Sequence, residues 1–321
     1  MTASPPSAAS GPIDGAVRLT HSAVLRASGV DAASFLHGQL TNDFTGLGLG
    51  EARLAAYCSA KGRMLASFVG FKRGHDDIWL ACRADVLTAT LKRLRMFVLR
   101  AKVQLTEGGD QIVLIGLAGP SVRAWLGDAA DMGVWAKREV GAGCIVRLPD
   151  GATQARWLWA GAADDAAAVM DALPAQALEH WDWLEVQSGV APVIGATVEA
   201  FVPQMLNYEL VGGVNFQKGC YPGQEVVARS HYRGTIKRRA ALAHADVPIT
   251  AGQDVFWSGD AAQPCGMVAL AAAAPLGGYD ALLEIKLLAL DGGSLHLGSA
   301  DGPALTPQSL PYRVPREPAS T

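Results

Sequence analysis

The chain has 321 residues, 50% hydrophobic and 18% charged, enough apolar material for a sizeable core and a length that suggests two or three domains. Its formal net charge of -3 calls for neither a nucleic-acid nor a membrane partner, and no window approaches the roughly 18 consecutive apolar residues of a membrane span. The five cysteines, Cys58, Cys82, Cys144, Cys220 and Cys265, are odd in number, widely spaced and without a Cys-x-x-Cys pair, which disfavours a disulfide framework, a structural zinc site and a complete four-cysteine iron–sulfur site.

Residues 1–12 are rich in Ser, Ala and Pro, and the first basic residue is Arg18. Without the positive n-region of a secretory signal or the arginines of a mitochondrial presequence, they read as the flexible tail of a cytoplasmic protein. Residues 16–28 read as one or two strands around Val17, Leu19, Val24 and Leu25, and Asp31 as the N-cap of a short helix carrying Phe35, Leu36 and Leu40. Strands follow at Leu54 to Cys58 and Met64 to Phe71, joined by turn chemistry in Ser59-Ala60-Lys61-Gly62-Arg63, with a third at Ile78 to Arg83. Asp85 to Val98 places Val86, Leu87, Leu91, Leu94 and Val98 at helical spacing. A buried strand at Ile112 to Leu117 ends at Gly119-Pro120. Strands at Ile145 to Leu148 and Arg156 to Trp159 precede helices at Ala162 to Leu173 and Leu178 to Val186.

Residues 191–216 are rich in Gly, Pro and Asn and read as a long functional loop region. After about residue 240, short apolar runs at 240–243, 254–257, 265–270, 279–288 and 294–297 alternate with Gly, Asp and Pro, the pattern of a small β sandwich or barrel. The mixture before it indicates α+β rather than a doubly wound fold. The division is a tail at 1–12, an α+β region at 13–240 with two subdomains, and a β domain at 241–321.

The stretch Lys218-Gly219-Cys220-Tyr221-Pro222-Gly223-Gln224-Glu225 carries the most chemistry. Tyr221 to Gln224 fits a type II turn, with proline presetting the second position and glycine accepting positive φ at the third. The turn opens a helix whose first turn holds Glu225, suited to the helix dipole and four residues before Arg229. Lys218 is a cation close enough in sequence to favour the Cys220 thiolate. The competing reading is a tight turn around an inert, buried cysteine, and composition alone leaves the two even.

This loop resembles the signature of the YgfZ branch of the folate-binding YgfZ/GcvT proteins. Phe201-Val202-Pro203-Gln204, Gly212-Gly213-Val214-Asn215-Phe216 and Ala228-Arg229 around it resemble the same family. So do Gly38-Gln39-Leu40-Thr41-Asn42-Asp43 and Cys58-Ser59-Ala60-Lys61-Gly62-Arg63-Met64, so that matching segments run from about residue 29 to 240. The resemblance implies the fold of the glycine-cleavage aminomethyltransferase with a C-terminal β-barrel, and tetrahydrofolate bound in a central hole between domains. It also implies a role in making or repairing iron–sulfur enzymes, one of which thiomethylates tRNA. Of two tryptophans that contact folate in the family, Trp181 matches one and Ser22 stands in place of the other.

The candidate site residues are Cys220 as reactive thiol or transient ligand, with Lys218 and Glu225. For the folate they are Trp181, Asp43, Tyr57, Asn215, Tyr221, Gln224, Arg229 and Arg233. Trp181 and Trp183 offer an aromatic face worth roughly 0.5–1.5 kcal/mol beyond burial, with ordinary core packing as the alternative; the resemblance favours ligand contact for Trp181 and core for Trp183. Asp43 reads equally as a turn residue or as a carboxylate holding pterin N–H groups. Arg229, Arg233, Lys237, Arg238 and Arg239 form a basic stretch, either a solvated face or an anchor for folate carboxylates or RNA phosphates; no aromatic-interleaved RNA motif accompanies it, which disfavours direct nucleic-acid binding. No histidine pair has metal-site spacing, and no metal is assigned.

Three functions remain. The first is a tetrahydrofolate-dependent accessory factor whose partners are iron–sulfur cluster enzymes or assembly proteins, with Cys220 displayed at the rim of a pterin cavity. The second is a one-carbon transferase, for which Asp43 and Glu225 are the acid–base candidates. The third is a folate-binding module without chemistry.

Overall fold

The computed structural model describes residues 13–232 and 236–315, with Ser230, His231 and Tyr232 described by backbone alone. The first twelve residues and Arg233 lie outside the described residues.

The chain opens with β1 (Gly15–Arg18), β2 (Ser22–Ser28) and α1 (Ala32–His37). Asp31 precedes α1 but does not cap it. Its carboxylate accepts the Lys102 backbone N–H at 2.6 Å, and its backbone lies outside the extended region an N-cap uses. Next come β3 (Ala52–Cys58), β4 (Met64–Gly74), β5 (Asp77–Arg83), α2 (Ala84–Arg95) and β6 (Gln104–Glu107). Val86, Leu87, Leu91 and Leu94 of α2 are buried, at the expected helical spacing; each such burial contributes about 1.5–3 kcal/mol. These strands form an antiparallel sheet in the order β3-β4-β5-β2-β6.

A second sheet takes β1 together with β7 (Ile112–Ala118), β8 (Lys137–Val140), β9 (Gly143–Gly151) and β10 (Gln154–Ala162), ordered β1-β7-β10-β9-β8. Helices α3 (Pro120–Leu126) and α4 (Ala163–Asp171) pack on this sheet, and α5 (Leu178–Gln187) packs both on it and on the C-terminal strands. Pro120 starts α3 instead of merely ending β7, because a missing N–H costs nothing in a first turn. One core cluster draws on both sheets, joining Val24, Phe71 and Ala81 to Leu114, Val146, Leu158 and Trp181.

The 191–216 region holds only short 3-10 turns at Gly195–Thr197 and Pro203–Leu206. Then α6 (Gln224–Tyr232) leads into β11 (Arg238–Ala245), β12 (Asp254–Trp257), β13 (Gly266–Ala273), β14 (Tyr279–Lys286), β15 (Leu295–Leu297) and β16 (Ala304–Gln308). These six strands close as a barrel ordered β11-β14-β13-β12-β15-β16, with β16 back on β11. Trp183 ties α5 to this barrel by donating its indole N–H to Asp280 at 2.6 Å.

Candidate functional site

The loop before α6 adopts the expected turn. Gln224 N–H donates to Tyr221 C=O at 3.1 Å and Gly223 has φ +79°, the type II geometry. A Cβ at Gly223 would lie 2.4 Å from the Ser59 carbonyl oxygen and 2.7 Å from Gly62 Cα. Glycine is therefore required twice over here, for the positive φ and for the approach to the β3–β4 turn. Gln224 closes the loop from within, its Oε1 accepting the Tyr221 N–H at 3.3 Å. Asn215 shapes the entry, its N–H donating to Thr41 C=O and its Oδ1 accepting the Gln217 N–H.

Lys218 points inward. Its ammonium donates to the carbonyls of His37 and, at 2.9 Å, Leu40 at the end of α1, and sits 4.6 Å from the Tyr221 ring centroid. Burial lowers its pKa to about 8, against the opposing charges of Asp43 and Cys220. Cys220, two residues on, is exposed, whereas Cys58, Cys82, Cys144 and Cys265 are buried. Burial pushes the thiols of Cys58 and Cys82 up to about 12 and that of Cys144 to about 11, so all three stay protonated. Cys220 is thus the accessible thiol among the described cysteines.

His37 is the residue the sequence reading did not single out. Its Nε2 faces the Gly219 N–H at 3.3 Å and its Nδ1 faces Asp43 Oδ1 at 2.7 Å. A backbone N–H can only donate, so Nε2 is the acceptor and Nδ1 carries the proton to Asp43. Asp43 also accepts from the Thr45 hydroxyl and N–H and from the Gly46 N–H. Burial works against its charge, but hydrogen bonds from Gly46, Thr45 and His37 overcome it and hold the pKa at about 2. Asp43 is therefore a turn-building carboxylate that orients His37, which in turn holds the backbone beside Cys220. No spacing rule links a histidine at 37 to a glycine at 219, so only the fold reveals the contact.

A second centre lies between the two sheets. A narrow cavity of about 80 Å3 has Ser22, Arg83, Trp135, Arg156, Trp181 and Glu185 among its walls. Trp181 is 1% exposed and packs on β7 where residue 116 is glycine; a Cβ there would come within 2.5 Å of the indole. Arg156 stacks over Trp181 at 5.0 Å. Its Nε donates to Pro149 C=O at 3.0 Å, but its buried Nη1 has no partner. Glu185 is paired with Arg83, and Arg156 has no ion-pair contact among the described residues. Burial lowers the Arg156 pKa to about 10, which Glu185 opposes and Arg147 reinforces.

Of the sequence-predicted residues that are described, Trp181 alone lines this cavity; Lys218, Cys220, Tyr221, Gln224, Asn215 and Asp43 gather instead around α1 and the β3–β4 turn. Tyr57 is 1% exposed and borders a different cavity with Leu65 and Arg93. Glu225 and Arg229 are exposed on α6. Arg238 and Arg239 are spent on ion pairs with Glu284 and Glu209, which removes them from the basic stretch as free anchors. Arg83, Arg156 and Glu185 were not foreseen, because charged residues inside apolar strands and helices carry no signal of which face they take.

Residues 15–139 match the family model described as the GCVT N-terminal domain. The tRNA-modifying protein YgfZ of Klebsiella pneumoniae is 33% identical over 233 residues, and that of Cronobacter sakazakii 32% identical over 216 residues. Each match covers 66% of this chain and 65% of the relative, so the chain spans just under two thirds of their length. The YgfZ of Photorhabdus laumondii is 30% identical over 309 residues, covering 92% of this chain and 91% of the relative. Among solved structures, the glycine cleavage system aminomethyltransferase T of Bartonella henselae superposes with a TM-score of 0.70 at 18% identity, covering 93% of this chain and 86% of that one. Its fold, like this one, is therefore that of an aminomethyltransferase, and the nearly end-to-end match to the Photorhabdus protein shows that the chain belongs to the YgfZ family.

Proposed function

We propose that this protein is a tetrahydrofolate-binding accessory factor for the assembly or repair of iron–sulfur cluster enzymes, and that it supports tRNA modification indirectly through them. The observation that carries the reading is Cys220: an exposed thiol on a type II turn, braced from behind by Lys218 and His37. An exposed thiol in this setting can act as a transient cluster ligand or redox group. The relatives' name, tRNA-modifying protein, supports the downstream role. Iron–sulfur enzymes or their assembly proteins are the partners in this account. Its compartment is the cytoplasm; among the described residues no helix is long and apolar enough to cross a membrane.

The central cavity fits a reduced pterin in its chemistry. Trp181 offers an aromatic surface, the unpartnered Arg156 Nη1 a donor for a ring oxygen, and Glu185 an acceptor for ring N–H groups. Sites that enclose ligands of this size usually span about 300–1,000 Å3, so the cavity must widen to admit one. A bound reduced folate would supply a carrier for a one-carbon unit. The transferase reading has less support: Asp43 is committed to its own turn, Glu225 is exposed on α6, and neither lines the cavity.

The test is Cys220→Ala in cells depleted of the wild-type protein. The activities of iron–sulfur enzymes are expected to fall while their protein levels hold. Normal activities in that strain would remove the thiol role.

A further inference from the structure

At position 22, where the family resemblance leads one to expect a tryptophan, the structure assembles different chemistry. Ser22 begins β2 and lines the central cavity. Its hydroxyl lies 3.1 Å from His21 Nδ1, and the other ring nitrogen, Nε2, lies 2.7 Å from Asp182 Oδ1 on α5. An ionised carboxylate only accepts, so Nε2 carries the ring proton and Nδ1 presents its lone pair to the serine. This is the order hydroxyl, imidazole, carboxylate that activates a serine nucleophile, recognised by geometry and not by sequence position. The three parts come from the start of one strand and from a helix 161 positions away from His21, next to Trp181.

A separate observation points to a reacting oxygen in the same cavity. Arg156 is 2% exposed, lines the cavity, and leaves Nη1 without a partner. A preorganised donor with no ground-state acceptor is what an oxyanion developing beside Ser22 requires.

We propose that Ser22, His21 and Asp182 form a second reactive centre, an acyl-accepting serine that takes small esters or activated acyl amides. Ser22 Oγ attacks the acyl carbon as its proton passes to His21 Nδ1, and the carbonyl electron pair moves onto oxygen, which Arg156 stabilises. Collapse breaks the bond to the leaving group, which departs with the proton from His21. Water then repeats the sequence on the acyl-serine and releases the acid. Asp182 positions the imidazole and stabilises its protonated form. Without the widening that a folate needs, the cavity of about 80 Å3 admits an acyl group of only a few heavy atoms. The side chains of His21 and Asp182 are 27% and 30% exposed, so the imidazole exchanges protons with solvent between turnovers. This centre requires neither Cys220 nor folate.

The experiment uses the full chain and a fluorophosphonate probe, which forms a P–O bond to an activated serine and loses fluoride, with the adduct mapped by mass spectrometry. A single adduct on Ser22 is expected, absent in Ser22→Ala. His21→Gln should slow labelling by roughly 100-fold, the usual worth of a positioned base. Asp182→Asn should slow it and displace its pH profile, which a merely structural role would not do. Hydrolysis of p-nitrophenyl formate should follow the same order. An unlabelled Ser22 in protein with a normal unfolding transition overturns the proposal, as does a labelling rate indifferent to His21→Gln. If that variant does not fold, the wild-type profile decides: a rate that rises as an imidazole loses its proton supports the relay, and a flat profile refutes it.

Discussion

Lys218 places its ammonium 4.6 Å from the centroid of the Tyr221 ring, three residues along the same turn, and the two side chains brace the backbone that exposes Cys220 between them. Lys218→Met keeps the length of the stem and removes the charge. Alkylation of Cys220 by iodoacetamide at pH 7 should then slow by about threefold to tenfold, the effect of losing one cation near a nucleophilic sulfur. In wild type the assistance should fade as pH rises through about 8, where Lys218 loses its proton; an unchanged rate in the variant would show that the ammonium serves the fold alone.

Asp43 carries a pH signature of opposite kind. Its pKa in the folded protein is about 2, below the 3.8 of a free aspartate. The unfolded chain therefore takes up a proton first as pH falls, and the stability Asp43 contributes is present above about pH 4 and lost toward pH 2. The difference in unfolding midpoint between wild type and Asp43→Asn should be full at pH 5 and shrink as pH approaches 2. Because this carboxylate orients His37, the variant should also loosen the Gly219 backbone, read as faster amide exchange there.

Gly223→Ala tests the turn. The new Cβ would meet Ser59 O at 2.4 Å in a backbone of φ +79°, so strain and overpacking should together cost about 2–4 kcal/mol in urea unfolding. A loss under 0.5 kcal/mol would mean that the loop is not pinned to the β3–β4 turn.

Arg156→Met separates binding from stability. A buried guanidinium with an unpartnered nitrogen contributes little net stability, and replacing buried charge by apolar volume is often neutral or better. The variant should unfold within about 1 kcal/mol of wild type, yet bind reduced folate about tenfold or more weakly, the cost of one charge-assisted hydrogen bond. Calorimetric titration and chemical unfolding of the same preparation check both halves.

The fold was legible where periodicity is strong. The spacing of Val86, Leu87, Leu91 and Leu94 finds α2, and the apolar run from Ile112 marks β7. The barrel was visible as short runs between turn residues, although β16 at Ala304–Gln308 was not, since it is mostly exposed and carries a proline. Short strands such as Gln104–Glu107 and Lys137–Val140 are polar and edge-like, and left no pattern to find. At the site, the Tyr-Pro-Gly-Gln turn could be read directly because two residues dictate its dihedrals. The His37–Gly219, Arg156–Trp181 and His21–Asp182 contacts could not, because each joins segments that only the packing of sheets and helices brings together.

The central claim, that the cavity walled by Trp181 and Arg156 holds tetrahydrofolate, is tested most directly by calorimetric titration of the purified full chain with tetrahydrofolate, in wild type and Trp181→Ala. Saturable one-to-one binding that weakens at least tenfold in the variant is the predicted result. Binding of equal strength in both proteins, or no heat in either, would contradict it.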